Sequence, residues 1–360
     1  MMRTNARVLI CGSSQGEYGG IEAVMITLAE YLHSETPLTC TLAFKLVSEA
    51  SLSTSLESFL SQSPVPFSVV KKLDWKLFQL IQRSDIVHTQ NVPPDIVFIA
   101  KLLGKLLIST THNYRNRRKS LHNLFWKFGN LLCDFVTFNS RFVAETWKTS
   151  PAYNRQHQVI PTVSKLPGST EHSSSRAGFV FISRWIPNKG ADLLIEAYER
   201  ANIDKEKWPL VMMGDGPLRE ELESTIRDRN IKGITSLGRV SETVKFERIA
   251  AAKWLVVPPN TQEDMGLTPI EGRALGTPCI ASMDGGVPES AGDQAIFFPP
   301  GDVETLRRCL EKVTQMDEKE YLARSKEAKA SLKTYLRPQS VYVSFYRKHL
   351  PVTTHDGQVV

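Results

Sequence analysis

Two Rossmann-like domains, each a doubly wound parallel α/β sheet, facing each other across a cleft, are what this sequence predicts. Three observations carry that prediction. Strand-like apolar runs alternate with amphipathic stretches along most of the chain, the pattern of βαβ units. At 360 residues the chain has room for roughly two domains. One segment, from Pro161 to Ala177, contains three consecutive serines and two prolines, interrupts the alternation and reads as a linker.

In chain order, the first half offers buried-strand runs at Arg7–Cys11, Thr39–Leu46, Phe67–Val70, Ile86–Thr89, Leu106–Thr110 and Phe135–Asn139. Glu22–His33 and Lys119–Leu132 have helical periodicity between them. Past the linker the runs are Gly178–Ser183, Leu210–Gly214, Ile234–Leu237, Trp254–Pro258, Pro278–Ala281 and Ala295–Phe298. Asp302–Val313, Lys319–Lys333 and, after Pro338, Ser340–His349 read as helices. This places an N-terminal domain at 1–162, a linker at 163–177, a C-terminal domain at 178–336 and a polar tail at 351–360. The aromatic segment 337–350 is expected to cross back onto the first domain.

Apolar residues at 41% and charged residues at 23% exclude disordered, collagenous and disulfide-scaffold chains. The net charge of +6 is unevenly placed: residues 1–160 hold 17 basic and 11 acidic side chains, 17 − 11 = +6, and the remainder balances. An anionic partner should therefore meet the first half. Five scattered cysteines without a C-x-x-C pair suit a reducing compartment and argue against zinc. The run Val8–Cys11 is too short for a signal-peptide core, and Ile96–Ile108, broken by Lys101 and Lys105, is too short to cross a bilayer. A cytoplasmic protein, peripheral at the inner face of the cell membrane, is the expectation.

Cofactor motifs fail at the places where such a fold would carry them. Gly12-Ser-Ser-Gln-Gly16 lacks dinucleotide-binding spacing, and Gly214-Asp-Gly-Pro217 puts proline where that motif needs freedom. No P-loop occurs. The densest constellation is Glu263-Asp-Met-Gly-Leu-Thr-Pro-Ile-Glu271. Pro269 suits the first turn of a helix, which would leave the amides of Gly266, Leu267 and Thr268 as free donors for phosphate. Glu263 then precedes the helix and Glu271 lies about one turn inside it, each placed for hydroxyls of a ligand. Asp215 reads as the cap of a helix beginning at Pro217.

With these residues in view, the segment from Phe181 to Asp302 resembles the nucleotide-sugar domain of retaining glycosyltransferase family 4, the group 1 glycosyltransferases of GT-B fold. The matching pieces are Ser183-Arg184 through Lys189-Gly190, Gly214-Asp-Gly-Pro217, Leu237-Gly238-Arg239-Val240, the glutamate pair, Gly276-Thr-Pro278 and Gly285-Gly286-Val-Pro288-Glu289. Gly19-Gly20, Asp85-Ile-Val-His88 and Thr111-His112-Asn113 extend the likeness across the first half. The resemblance implies transfer of a sugar from a nucleotide-diphosphate sugar to a glycan or polyisoprenyl-linked acceptor, with retention, in cell-surface polysaccharide or lipopolysaccharide synthesis. Arg184 and Lys189 would clamp the diphosphate, Glu271 would hold the ribose, Glu263 the donor sugar, and Arg239–Val240 would border the base. Gly19 and Gly20 would let backbone approach the diphosphate, and His112 would help position or polarise donor and acceptor. Asp85 and His88 fall on a buried strand and read as structural.

No Asp-x-Asp occurs, so the cations are expected to do without a metal, and no cofactor besides the donor substrate is implied. No carboxylate can be identified for a double displacement, which leaves a front-face path. Three departures stand out: Glu-Asp-Met-Gly replaces the usual E-G-F-G, Ile160-Pro-Thr-Val-Ser-Lys165 replaces I-P-N-G-V-D, and Gly272-Arg273 follows Glu271 where Ala-Met is usual. The last of these should weaken its helix slightly.

An anionic membrane surface is the expected further partner. Leu121, Leu124, Phe125, Phe128, Leu131 and Leu132 fall on one helical stripe and are expected to pack on the sheet. Arg117, Arg118, Lys119 and, on the far side of that helix, Trp126 would then face lipid or acceptor. Lys71 to Arg83 repeats the mixture of cations and aromatics. Nucleic acid is not expected, because no binding module accompanies the charge. The alternative function is a catalytically idle subunit that binds a nucleotide sugar or a partner enzyme.

Overall fold

The computed structural model describes residues 6–47, 51–115, 121–149, 153, 157–161, 166–167, 176–261 and 263–349. The chain forms two compact units, one of residues 1–165 with 336–360, the other of residues 166–335.

Unit 1 alternates β1 (Arg7–Ser14), α1 (Gly20–Glu35), β2 (Thr39–Leu46), α2 (Thr54–Gln62), β3 (Phe67–Val70), α3 (Trp75–Arg83) and β4 (Ile86–Gln90). It continues through α4 (Pro94–Leu102), β5 (Leu106–Thr111), α5 (Leu121–Leu132), β6 (Phe135–Phe138), α6 (Arg141–Thr146) and β7 (His157–Val159). The seven strands lie in the order β3-β2-β1-β4-β5-β6-β7, every pair parallel. Strand side chains alternate between the two faces. Val8 and Ile10 of β1 join a core with α1 and α2, while Leu9 and Cys11 join one with α3, α4 and α5.

Unit 2 runs β8 (Phe179–Ile182), α7 (Ala191–Arg200), β9 (Leu210–Met213), α8 (Arg219–Asp228), β10 (Ile234–Gly238), α9 (Glu242–Ala251) and β11 (Trp254–Val257). Then come α10 (Thr268–Ala274), β12 (Cys279–Ser282), α11 (Val287–Ala291), β13 (Ile296–Phe298), α12 (Val303–Thr314) and α13 (Glu318–Tyr335). Its six-stranded sheet, β10-β9-β8-β11-β12-β13, is also parallel. Phe179 and Phe181 pack with α7 and α12 on one face; Val180 packs with α9 and α11 on the other.

After α13 the last helix, α14 (Ser340–His349), returns to unit 1. Phe345 lies 3.5 Å from Phe135 between ring centroids, and Tyr346 Oη is 2.6 Å from His88 Nδ1. His88 also meets Thr110 Oγ1 at 2.7 Å, and burial pulls its imidazole down to about 3, so it stays neutral. Asp85 is structural too, accepting from the backbone and guanidinium of Arg7 at 2.9–3.2 Å.

One helix is turned the other way from the expectation. Trp126, Gly129, Asn130 and Cys133 follow the i, i+3, i+4, i+7 spacing of a helix face, and that is the face α5 turns to the sheet. A Cβ on Gly129 would come within 2.9 Å of Val92, so the helix approaches closely there. Asn130 is buried, with its Oδ1 3.2 Å from both Ser109 and Thr111 hydroxyls. Trp126 packs parallel to Trp147 with 6.4 Å between centroids. The apolar stripe of Leu124, Phe125, Phe128 and Leu132 is therefore exposed, and Trp126 is not the outward residue. Hydrophobic periodicity selects the wrong side because, beside Trp126, the packed side is built from Gly129, Asn130 and Cys133. Arg117, Arg118 and Lys119 lie outside the described residues. No described helix is long and apolar enough to cross a membrane.

Candidate functional site

At the carboxyl ends of the second sheet, five loops carry the motif residues. After β8 the chain passes exposed Arg184 and is pinned by buried Trp185, whose amide donates to Asp215 O at 2.8 Å. A short 3-10 turn, Pro187–Lys189, ends at Gly190 with φ +72°. A Cβ there would sit 1.9 Å from Pro258 O, so only glycine lets this loop lie against the segment after β11. That contact is reinforced by Asn260, which donates to Asn188 O at 3.2 Å and Pro187 O at 3.3 Å. The result brings the Lys189 ammonium into an ion pair with Glu263. Arg184 forms no ion pair among the described residues.

Glu263 is held through its backbone. Its amide donates to Asp284 Oδ2 at 2.8 Å, and its carbonyl accepts from Gly286 at 2.8 Å. Gly285 has φ +53°, and a Cβ there would lie 2.1 Å from Glu263 O, which gives a physical reason for the Gly-Gly pair after β12. Burial raises the Asp284 carboxyl, opposed by the Glu263 amide.

The helix predicted after Gly266 is α10, with Pro269 in its first turn and Leu267 as a cap that supplies no side-chain acceptor. Gly266, Leu267 and Thr268 are partly exposed at its start. Glu271, in the fourth position of α10, is buried. Its Oε1 accepts from Lys245 Nζ of α9 at 2.8 Å, and the same ammonium reaches Glu242 Oε2 at 2.8 Å. Burial raises the Glu271 carboxyl, and Lys245 partly offsets this. Burial alone would lower Lys245, but the two carboxylates more than reverse it and leave it raised. Lys245 is a site residue that no sequence signal marks, since it is one lysine in an amphipathic helix.

Arg273 is likewise missed by sequence reasoning. It is buried, its Nη1 lies 2.9 Å from Ser290 O and its Nη2 3.1 Å from Ser331 Oγ, and its guanidinium stacks 5.3 Å from the Tyr335 ring centroid. The departure at Gly272-Arg273 thus fastens α10 to α13, while Gly272 admits Leu255, which a Cβ would meet at 2.8 Å. Arg239 is exposed and Val240 partly buried, directly after β10. Asp215 does not cap a helix at Pro217: α8 begins at Arg219, and Asp215 instead accepts from Gly216 at 2.8 Å and lies 3.7 Å from Arg219.

The first unit carries its candidates at the same ends of its own sheet. Gly19 is the extended residue before α1, and Gly20 opens that helix. Buried Glu22 lies beside them, accepting from Ser14 Oγ at 2.7 Å, so this helix start holds a carboxylate of its own. His112 follows β5, its amide donating to Asn91 Oδ1 at 3.0 Å. Its Nε2 is 2.7 Å from the side-chain amide of Gln90. Burial pulls this imidazole down to about 4, so it is neutral at pH 7. Gln90 Nε2 and Asn139 Oδ1 are buried without a partner among the described residues.

Comparison with known proteins gives the site its context. Residues 18–163 match the model of Glycosyltransferase Family 4, and residues 164–331 that of Glycosyl transferases group 1. An uncharacterized glycosyltransferase of Methanocaldococcus jannaschii is 33% identical over 57% of this chain and 58% of its own. A GDP-mannose-dependent monoacylated α-(1-6)-phosphatidylinositol monomannoside mannosyltransferase of Corynebacterium glutamicum is 25% identical over 49% of this chain and 52% of its own. The match thus spans little more than half the length of these relatives. In fold the chain resembles Anabaena HepE, solved in complex with UDP and glucose, with TM-score 0.76 and 16% identity over 95% of this chain and 99% of that one. The two parallel-sheet units are those of the GT-B fold.

Proposed function

Because the chain belongs to the family 4, group 1 glycosyltransferases of GT-B fold, we propose that it moves a sugar from a nucleoside-diphosphate sugar to a glycan or lipid-linked acceptor. The observation that carries this reading is the gathering of Arg184, Lys189 and Glu263, on loops, and Glu271, in α10, at the carboxyl ends of the second sheet. HepE with UDP and glucose, and the mannosyltransferase that uses GDP-mannose, support the donor class; the latter's phosphatidylinositol mannoside supports a lipid-linked acceptor. Synthesis of a surface polysaccharide or lipopolysaccharide at the inner membrane face is the setting that fits such an acceptor.

In this reading Arg184, exposed and without an ion pair among the described residues, binds the diphosphate and stabilises it as it leaves. Lys189 exchanges Glu263 for a phosphate oxygen, and the released carboxylate accepts from a hydroxyl of the transferred sugar. Glu271, oriented by Lys245, accepts from the ribose hydroxyls, with Arg239 and Val240 beside the base. The start of α10 at Gly266, Leu267 and Thr268 supports the phosphates with backbone dipoles. Within unit 1, Gly19 and Gly20 let a phosphate approach the backbone at the start of α1, and neutral His112 offers a ring nitrogen to a hydroxyl. With cations serving the leaving group, the reaction proceeds without a metal. Retention follows by a front-face path, in which the departing phosphate takes the proton of the incoming hydroxyl.

A thermal-shift screen over UDP- and GDP-sugars, followed by assay of nucleoside diphosphate release, tests the proposal. Stabilisation with release on adding acceptor is the expected result. Stabilisation without release under any acceptor would favour the catalytically idle subunit. No stabilisation by any nucleotide sugar would overturn both.

A further inference from the structure

Large apolar side chains are exposed on one face of unit 1 to an extent found nowhere else in the described chain. Of the twelve that are exposed among the described residues, eight belong to α3, α4, α5 or the turn entering α3. Leu73, Leu102, Trp75 and Phe98 are the most exposed, at 71%, 70%, 68% and 65%, followed by Phe125 and Phe128 at 56% and 55%. These three helices cover the same side of the sheet, with α4 between α3 and α5. The exposure is therefore a continuous surface rather than scattered residues, and such patches mark docking sites.

Two further observations show that this surface is built for something. Leu73 sits at 71% exposure in the left-handed region, φ +55°, where a leucine is strained. Its amide reaches Asp95 Oδ2 at 3.5 Å, and Asp95 is itself locked to Lys45 at 2.6 Å, so the turn is anchored from beneath. Charge then selects the occupant. The described residues that carry these helices, 71–115 and 121–134, hold eight basic and four acidic side chains, 8 − 4 = +4. Lys71, Lys72 and Lys76 are exposed around Leu73 and Trp75. A second copy of the chain on this face would set +4 against +4. An anionic lipid surface meets both the cations and the aromatics, which favour the depth of the headgroups.

We propose that the α3–α4–α5 face is a docking surface for an anionic lipid bilayer, with Trp75, Phe98, Phe125 and Phe128 entering the headgroup layer and Lys71, Lys72 and Lys76 pairing with lipid phosphates. Phe125 and Phe128 here take the outward place that the sequence pattern gave to Trp126, and the segment Lys71–Arg83 presents the cations and aromatics read from the sequence. It goes beyond the proposed glycosyl transfer and does not depend on it.

The experiment is co-sedimentation of the full chain with vesicles of phosphatidylcholine alone, or of equal parts phosphatidylcholine and phosphatidylglycerol. The expected result is binding to the anionic vesicles only, weakening as salt rises. Lys71→Gln/Lys72→Gln/Lys76→Gln should lower the partition by about a hundredfold at low salt, at about tenfold or less per cation. Trp75→Ser/Phe125→Ser/Phe128→Ser should lower it at least about tenfold, since buried apolar area is lost. Far-UV circular dichroism and the melting temperature show whether each variant folds. For a variant that does not fold, the single exchange Trp75→Phe serves instead: the wild-type emission should shift to the blue on anionic vesicles, and the variant should lose that component. Unchanged binding by the folded aromatic variant would overturn the proposal. So would absence of binding by the wild type, a stable dimer that the aromatic variant dissolves, or retention by an acidic protein but not by vesicles. Nucleotide-sugar binding is read separately by thermal shift, so vesicle binding without nucleotide binding would leave this surface standing while the glycosyltransferase reading fell.

Discussion

Lys189 with Glu263 and Lys245 with Glu271 are the same chemical pair in two settings. The first joins a 3-10 turn to a loop, and its side chains retain 17% and 22% exposure. The second joins two helices, with the carboxylate at 7%, and adds a second acid, Glu242, to the same ammonium. Water and a ligand phosphate can compete for the first ammonium at little cost. Separating the second pair would leave a charge in a low dielectric, so it holds its geometry. Under the proposed function the difference divides the labour: the loop pair is the one free to exchange partners for a diphosphate, and the helical pair keeps Glu271 aimed.

The largest effect should come from breaking the buried pair. Lys245→Met leaves Glu271 and Glu242 without their shared cation, and removing one partner of a buried ion pair costs about 3–5 kcal/mol. Urea unfolding of the variant should show that loss. Without Lys245 the Glu271 carboxyl, already raised by burial, rises further, so nucleotide affinity in the variant should fall at a higher pH than in the wild type. A variant as stable as the wild type would show that the pair is as exchangeable as the other.

Acid should act next, and with opposite sign in the two units. His88 and His112 are pulled from 6.5 to about 3 and about 4, so the unfolded chain binds protons there before the folded one does. Stability they contribute is present above about 6.5 and lost as pH falls towards those values. At pH 5 each imidazole should cost about 2 kcal/mol relative to neutral pH. Glu271 works the other way: its raised carboxyl takes up a proton in the folded state first, a gain that appears as pH falls and is lost as pH rises. Hydrogen exchange from pH 7 to 5 should show unit 1 loosening before unit 2. Simultaneous loosening would remove the contrast.

Arg184→Ala and Lys189→Ala should each weaken nucleoside diphosphate binding by about 1.5–3 kcal/mol, and nucleoside binding far less. Calorimetric titration with UDP or GDP and with the corresponding nucleoside reads the difference. Equal losses for both ligands would remove these cations from the phosphates.

Most strand runs were legible because parallel strands buried on both faces appear as uninterrupted apolar segments, as Phe179–Ile182 and Trp254–Val257 do. The edge strand His157–Val159 has no such run and gave no signal. The glutamate positions around α10 were also legible, since Pro269 marks the helix start. The orientation of α5 was not, because Gly129 and Asn130 fill the packed face and apolar periodicity counts neither. Lys245 and Arg273 were invisible for a related reason. A charged residue on an amphipathic helix reads as solvated until the fold shows a carboxylate, or a set of carbonyls, waiting for it.

Glu263→Gln is expected to change stability least and to sharpen the comparison most. The loop pair is partly exposed, and ion pairs in that setting contribute about 0–1 kcal/mol. Glutamine also retains the shape and an acceptor oxygen, and the backbone contacts to Asp284 and Gly286 that hold the loop do not involve the side chain. Urea unfolding should therefore stay within about 1 kcal/mol of the wild type. If Glu263 contacts the transferred sugar as its anomeric centre develops charge, the loss should appear in kcat at saturating donor, because an interaction strengthened in the transition state shows there. Glu271→Ala should instead raise the apparent KM for donor, since ribose contacts are the same in ground and transition states. Steady-state kinetics on the two variants separates these outcomes. A Glu263→Gln enzyme with unaltered kcat would make both glutamates donor-binding groups alone, and the two lysine pairs would then differ in rigidity but not in chemistry.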